Sequence, residues 1–107
     1  MTIQEKIEEA REFLSSEIME NAEDILYSLI NDPSSEDDIV EVMRNDIDVL
    51  QIPYDTSYDS PDAYVNIEKL NPFDYADGII INVLKEVVID NQTCQLTVQT
   101  KIEPEEE

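Results

Sequence analysis

The stretch at residues 78–102, GIIINVLKEVVIDNQTCQLTVQTKI, constrains the fold most, because it is rich in β-branched residues and carries no net charge. Of the eight apolar residues from Ile79 to Ile89, seven are isoleucine or valine, which favour strands. We therefore predict two strands here. The apolar positions of residues 78–90 also fit a helical spacing, and periodicity alone does not separate the two structures in a short apolar run.

The hairpin formed by these strands is expected to bury one of its faces. A two-residue turn at positions 91–92 would pair Ile89 with Cys94 and Val87 with Leu96 on an apolar face. The opposite face is mixed, which is typical of an antiparallel sheet with one wetter side. Cys94 is the single cysteine, so an internal disulfide is excluded, and we predict that it acts as a small buried hydrophobe.

A long amphipathic helix is predicted at the N-terminus. Thr2 and Glu5 fit a capping box, and apolar residues follow at steps of three or four as far as Leu29. This helix should end near Asn31, because a proline at position 33 disfavours helical geometry at the residue before it. Whether the serines at residues 15–16 interrupt it is left open.

A second helix is predicted from about Glu36 into the high forties, with Ser34 or Ser35 as its N-cap. Its apolar face consists of Ile39, Met43, Ile47 and Leu50. Three prolines punctuate residues 52–77, and only residues 63–70 alternate there as a first strand would. We therefore predict an α+β fold in the order ααβββ, with two N-terminal helices packed on a small three-stranded antiparallel sheet. Residues 1–102 would form one domain, followed by a flexible acidic tail at 103–107.

The composition argues against an enzyme. The chain has no histidine, one cysteine and one glycine, so zinc sites, a histidine general base and glycine-rich phosphate loops are not expected. The acidic loops 55–62 and 74–78 lack the ligand spacing of a calcium-binding EF-hand. We therefore predict no cofactor and no metal. The charged N-terminus and the lack of a long apolar run disfavour export and membrane insertion, so a cytoplasmic protein is expected.

The 27 acids and 6 bases, a net charge of −21, point to a basic partner. Such a surface repels phosphates, so direct nucleic-acid binding is disfavoured, whereas the basic groove of a nucleic-acid-binding protein is complementary to it. The candidate partner-binding residues are Glu5, Glu9, Glu12, Glu20 and Glu23 on one face of the first helix, Glu36, Asp37, Asp38 and Glu41 on the second, and Asp55, Asp59 and Asp62 in the loop. The first-turn acids of the second helix also have a structural explanation, since the helix dipole favours them there.

In its size, acidity and lack of catalytic motifs, the chain resembles phage-encoded DNA-mimic inhibitors of the anti-restriction and anti-CRISPR type. The resemblance implies a protein that occupies the nucleic-acid groove of a host nuclease or effector complex. Whether the protein is a monomer or a dimer stays open. An immunity protein or antitoxin that neutralises a cationic nuclease toxin fits the same composition. An acidic secretion chaperone, which would present an apolar groove or a dimer face, is a further alternative. Acidity that serves solubility alone also stays open.

Overall fold

The order of elements predicted from the sequence is confirmed. The computed structural model describes residues 1–57 and 63–104. It contains α1 (Ile3–Asn31), a 3₁₀ turn (Pro33–Ser35), α2 (Glu36–Asp48), β1 (Tyr64–Asn71), β2 (Asp74–Ile89) and β3 (Gln92–Ile102). Asp59 and Asp62, and most of the predicted tail, lie outside the described residues. The fold is therefore the α+β arrangement ααβββ.

The first helix is capped as predicted and runs without interruption through residues 15–16. The backbone N–H of Glu5 donates to the Thr2 hydroxyl at 3.2 Å, and the Thr2 N–H donates to the Glu5 carboxylate at 3.3 Å. These two bonds satisfy N–H groups that have no partner inside a helix. At the other end the helix stops before Pro33, where Asp32 N donates to the Ser28 carbonyl at 2.8 Å.

Ser35 occupies the predicted N-cap position of α2, but its side chain does not cap the helix. Ser35 has φ −85° and ψ 1° rather than the extended geometry of an N-cap, and it makes no side-chain cap hydrogen bond. Its hydroxyl donates instead to the Asp32 carbonyl at 2.7 Å. Asp32 also accepts from the Ser34 N–H at 3.3 Å and from its hydroxyl at 2.6 Å. The capping side chain is therefore that of Asp32, which caps the 3₁₀ turn, and this turn leads directly into α2.

Residues 78–89 are strand and not helix, within an antiparallel sheet of order β1-β2-β3. The predicted turn was one residue late. Asp90 and Asn91 form it, with φ values of 53° and 64°, and β2 and β3 pair Ile89 with Gln92 and Val87 with Cys94. A two-residue turn of this kind needs positive φ at both positions, which Asp and Asn tolerate better than Gln does. The correction moves each partner by two residues, so every side chain keeps its predicted face.

The core lies between the inner face of this sheet and the two helices. Helix α1 packs against β2 and β3, and α2 packs against β1. Burial alternates along β2, where the inward residues are Ile79, Ile81, Val83, Lys85, Val87 and Ile89. Cys94 faces the same side but is only partly buried, because it lies near the end of the hairpin. No helix of the described residues is long and apolar enough to cross a membrane.

Candidate binding surface

The charge of the chain is concentrated on the helical layer. Helices α1 and α2 together hold fourteen acids and three bases, whereas the three strands hold four acids and three bases. Hence the layer that covers the inner face of the sheet is strongly anionic, and the sheet itself is close to neutral. A basic partner is attracted to one side of this molecule more than to the other.

The predicted carboxylate stripe of α1 is exposed. Glu5, Glu9, Glu12, Glu20 and Glu23 all face solvent, and the buried residues Ala10, Leu14, Ile18, Ala22 and Leu26 follow the opposite face. The stripe from Glu5 to Glu23 covers about 27 Å of helix at 1.5 Å per residue. It is thus a row on the outside of the helical layer, with a gap of about 12 Å between Glu12 and Glu20.

Two acids of this stripe also hold the structure together. Glu5 belongs to the capping box, and Glu9 accepts a hydrogen bond of 2.6 Å from the Tyr54 hydroxyl. That bond, followed by burial and the Glu9 charge, raises the pKa of Tyr54. Nearby, Lys6 forms an ion pair with Asp90 in the β2–β3 turn at 2.8 Å. The N-terminal half of α1 is therefore tied to both the loop and the hairpin.

The acids of α2 divide in a similar way. Asp37, Asp38 and Glu41 are exposed, whereas Glu36 is partly buried beside Tyr75. Burial, and then the neighbouring Glu36 carboxylate, raise the pKa of Tyr75 to about 12. Glu36 therefore lies where α2 meets β2, while Asp37, Asp38 and Glu41 extend the anionic surface beside α1.

Among the loop acids, Asp55 is engaged inside the chain. Its Oδ1 accepts from the backbone N–H of Val88 at 3.0 Å and from that of Ser57 at 2.9 Å. The neighbouring Thr56 N–H donates to the Val88 carbonyl at 2.8 Å. Since β1 begins only opposite Leu84, the loop completes this edge of β2. We therefore assign Asp55 to the fold, and the structure does not describe its loop companions Asp59 and Asp62.

Sequence reasoning missed the buried lysine. Lys85 is 1% exposed, and its Nζ donates to the carbonyls of Ile47 at 2.7 Å and Asp48 at 3.1 Å, at the end of α2. A cation suits this end of a helix, where carbonyl groups lack partners and the dipole is negative. Burial lowers the pKa of Lys85, and the carboxylates of Asp48 and Asp55 oppose that shift. The alternation predicted for β2 places Lys85 among inward residues, and this position could have indicated that the lysine is buried.

We expect Lys85→Met to change how stability depends on pH. The folded-state pKa of Lys85 lies below its unfolded value of about 10.5, so the unfolded chain binds more protons between the two values. Stability contributed by this group is therefore present above about pH 10.5 and is lost as the pH falls through the folded pKa. The free energy of unfolding, measured in urea at pH 7 and near pH 10, should increase from pH 7 to pH 10 for the wild type relative to the variant.

Lys101→Met provides the matched control, because Lys101 is exposed on the neighbouring strand and pairs with Glu103 at 3.1 Å. Its stability difference from the wild type should stay nearly constant over the same interval. A difference for Lys85→Met that also stays constant would contradict the lowered pKa. One pKa unit corresponds to about 1.4 kcal/mol, which this comparison can resolve.

The described residues contain no group of three or more Cys, Asp or Glu side chains arranged to hold a metal ion. No protein-family model, curated protein or solved structure matches the chain, so the proposal that follows rests on its own residues.

Proposed function

We propose that the protein is a cytoplasmic inhibitor whose anionic helical layer binds the basic nucleic-acid groove of a defence nuclease or another DNA-binding protein. The observation that carries the proposal is the unequal distribution of charge, with fourteen acids and three bases on the two helices. The ion pairs Lys6–Asp90 and Lys101–Glu103 each engage an acid outside the helices. With fourteen acids and three bases, α1 and α2 stay strongly anionic and attract a basic partner.

The carboxylates of α1 alone are too widely spaced to match the phosphates of DNA, so the proposed surface needs both helices. One strand of B-DNA carries about eight phosphates over the roughly 27 Å that separate Glu5 from Glu23, and the stripe of α1 supplies five carboxylates. Asp37, Asp38 and Glu41 on α2 add a second row in the same layer. When these carboxylate rows bind a basic groove, they release the counterions that surround them. This release is the same source of free energy as in DNA binding.

Competition tests the proposal directly. The target would be captured from host lysate at low salt, identified by mass spectrometry, purified, and offered the protein and a labelled DNA duplex together. We expect the two ligands to exclude each other, and the affinity for the protein to fall steeply with salt. Simultaneous binding of both ligands would contradict mimicry and would favour an immunity-type inhibitor that covers another surface.

A charge-matched pair of variants tests which layer binds. Changing Glu12, Glu20 and Glu23 to Gln removes three carboxylates of α1 and keeps the capping bond of Glu5 and the Tyr54 bond of Glu9. Gln is a good helix former and retains the capacity to hydrogen-bond at each of the three positions. Since one surface ion pair contributes up to about 1 kcal/mol, we expect the dissociation constant for the captured target to rise by about 10- to 100-fold. The measurement is a titration at fixed ionic strength.

The control removes the same charge from the sheet side, by changing Glu68, Glu86 and Glu103 to Gln. These residues belong to or directly follow the strands and lie outside the proposed surface. We expect affinity to change by no more than about twofold, because long-range electrostatics alone is screened beyond roughly 8 Å. Equal losses in the two variants would mean that net charge, and not the helical layer, drives binding.

A further inference from the structure

A groove of about 440 Å³ lies between α1 and α2. The helices rest on different strands of the sheet, α1 on β2 and β3 and α2 on β1, which leaves the groove between them. Its lining is mainly aliphatic and includes Ile18 and Ile25 from α1 and Ile39, Val42, Met43 and Ile47 from α2. Val42 is 59% exposed, so part of this apolar wall faces solvent.

Both rims of the groove carry carboxylates. Glu17 and Asp24 stand on the α1 side, and Asp38 and Asp46 stand on the α2 side. Within the part of the chain that the structure describes, no lysine or arginine lines it. An apolar floor between two anionic rims is complementary to a ligand that is apolar in the middle and cationic at its edges.

We propose that this groove binds an amphipathic helix of a partner protein, with aliphatic side chains on one face and lysine or arginine beside them. The apolar face would lie against Ile25, Val42 and Met43, and the flanking bases would reach the four rim carboxylates. The groove follows α2, whose 13 residues cover about 20 Å, so about three to four turns of a bound helix fit along it.

Charge disfavours the other occupants of such a groove. A second copy of this chain would bring its own net charge of −21 towards four rim carboxylates. Nucleic acid and anionic lipid surfaces are repelled for the same reason. The groove shares Asp38 with the proposed anionic surface, but its apolar walls lie on the flank of α1 that faces α2, away from the stripe opposite the buried face of α1. The inference therefore concerns a second contact, which changing Glu12, Glu20 and Glu23 does not remove.

Synthetic peptides test the groove on the full chain. The probe is a fluorescein-labelled peptide of about 18 residues, with leucine at positions i, i+3, i+4 and i+7 of each repeat and lysine elsewhere. One control peptide has the same composition with its leucines spread around the helix, and another has glutamate in place of lysine. By fluorescence anisotropy, we expect the amphipathic lysine peptide to bind at least about tenfold more tightly than the scrambled peptide, and the glutamate peptide to bind least.

Two exposed valines provide matched variants of the protein. Val42→Asp places a carboxylate in the groove wall, whereas Val49→Asp places one just beyond α2 at a residue that is 80% exposed and does not line the groove. Both changes add the same charge, so general attraction for a cationic peptide rises equally. We expect Val42→Asp to weaken binding at least about tenfold, because a carboxylate then faces the leucines, and Val49→Asp to stay within about twofold of the wild type.

Each other outcome overturns the proposal. Equal binding of the scrambled and amphipathic peptides would mean attraction to the acidic surface alone, and this comparison needs only the wild-type chain. Equal affinity in the Val42 and Val49 variants would place the peptide elsewhere. Self-association of the wild type that Val42→Asp abolishes, without peptide binding, would identify a second copy of the chain as the occupant.

Discussion

Gly78→Val is expected to lower the melting temperature by at least about 8 °C, since each kcal/mol lost shifts a domain of this size by about 4–8 °C. Gly78 has φ +116°, a backbone conformation that residues other than glycine rarely adopt. A Cβ there would overlap the carbonyl oxygen of Ile102 and lie 3.2 Å from Glu103 Cα. Backbone strain of about 1–3 kcal/mol adds to a packing cost of similar size. Thermal unfolding followed by circular dichroism measures the loss.

Ala76→Val is the control for that change. Ala76 is exposed and lies two residues earlier in β2, in the same stretch where the pairing of β1 and β2 shifts between Lys69 and Asn71. We expect a melting temperature within a few degrees of the wild type, about the range of ordinary surface changes. Similar melting of Gly78→Val and the wild type would show that β2 can move away from Ile102 at little cost.

The element order was predictable because local patterns and tertiary packing agree in this chain. Apolar residues recur at helical spacing to Leu29, and the alternating strands have one inward face, so periodicity was sufficient for both layers. The hairpin turn required more than hydrophobic pattern, since turns at residues 90–91 and 91–92 bury the same faces. Only the positive φ that Asp90 and Asn91 adopt separates the two registers.

Which carboxylates face solvent and which bind other parts of the chain was not predictable in the same way. Exposure of the α1 stripe follows from its spacing, but the bond between Glu9 and Tyr54 joins residues that are 45 positions apart. Asp55 and Val88 are 33 apart, and Lys85 reaches Ile47 across 38. Pattern reasoning assigns a face to a residue and gives no information about which distant group lies there. A charged residue on an inward face is the signal that such a partner exists.

Val87→Asp is expected to lower the free energy of unfolding by about 3–5 kcal/mol at neutral pH, a large fraction of the stability of a domain. Val87 is fully buried on the inner face of β2 and pairs with Cys94. A carboxylate there has no cation to pair with, since the side chain of the nearby inward residue Lys85 is committed to the end of α2. An uncompensated buried charge costs about 3–5 kcal/mol, against a total stability of about 5–15 kcal/mol for a domain. Urea unfolding measures the loss.

Leu84→Asp is the comparison that makes the Val87 result specific to the sheet face. Leu84 lies on the outer face of the same strand, opposite Tyr64 and Thr97, and is only partly buried. Its new carboxylate stays in contact with water, so we expect a loss of about 1 kcal/mol, typical of single substitutions. We expect Val87→Asp to regain part of its stability near pH 4, and Leu84→Asp to show no such change. Burial raises the pKa of a carboxyl group, so the buried aspartate is protonated at that pH and its uncompensated charge is lost. Equal destabilisation of the two variants at neutral pH would require that both faces of the sheet be covered, by a second copy of the chain or by another partner on the outer face.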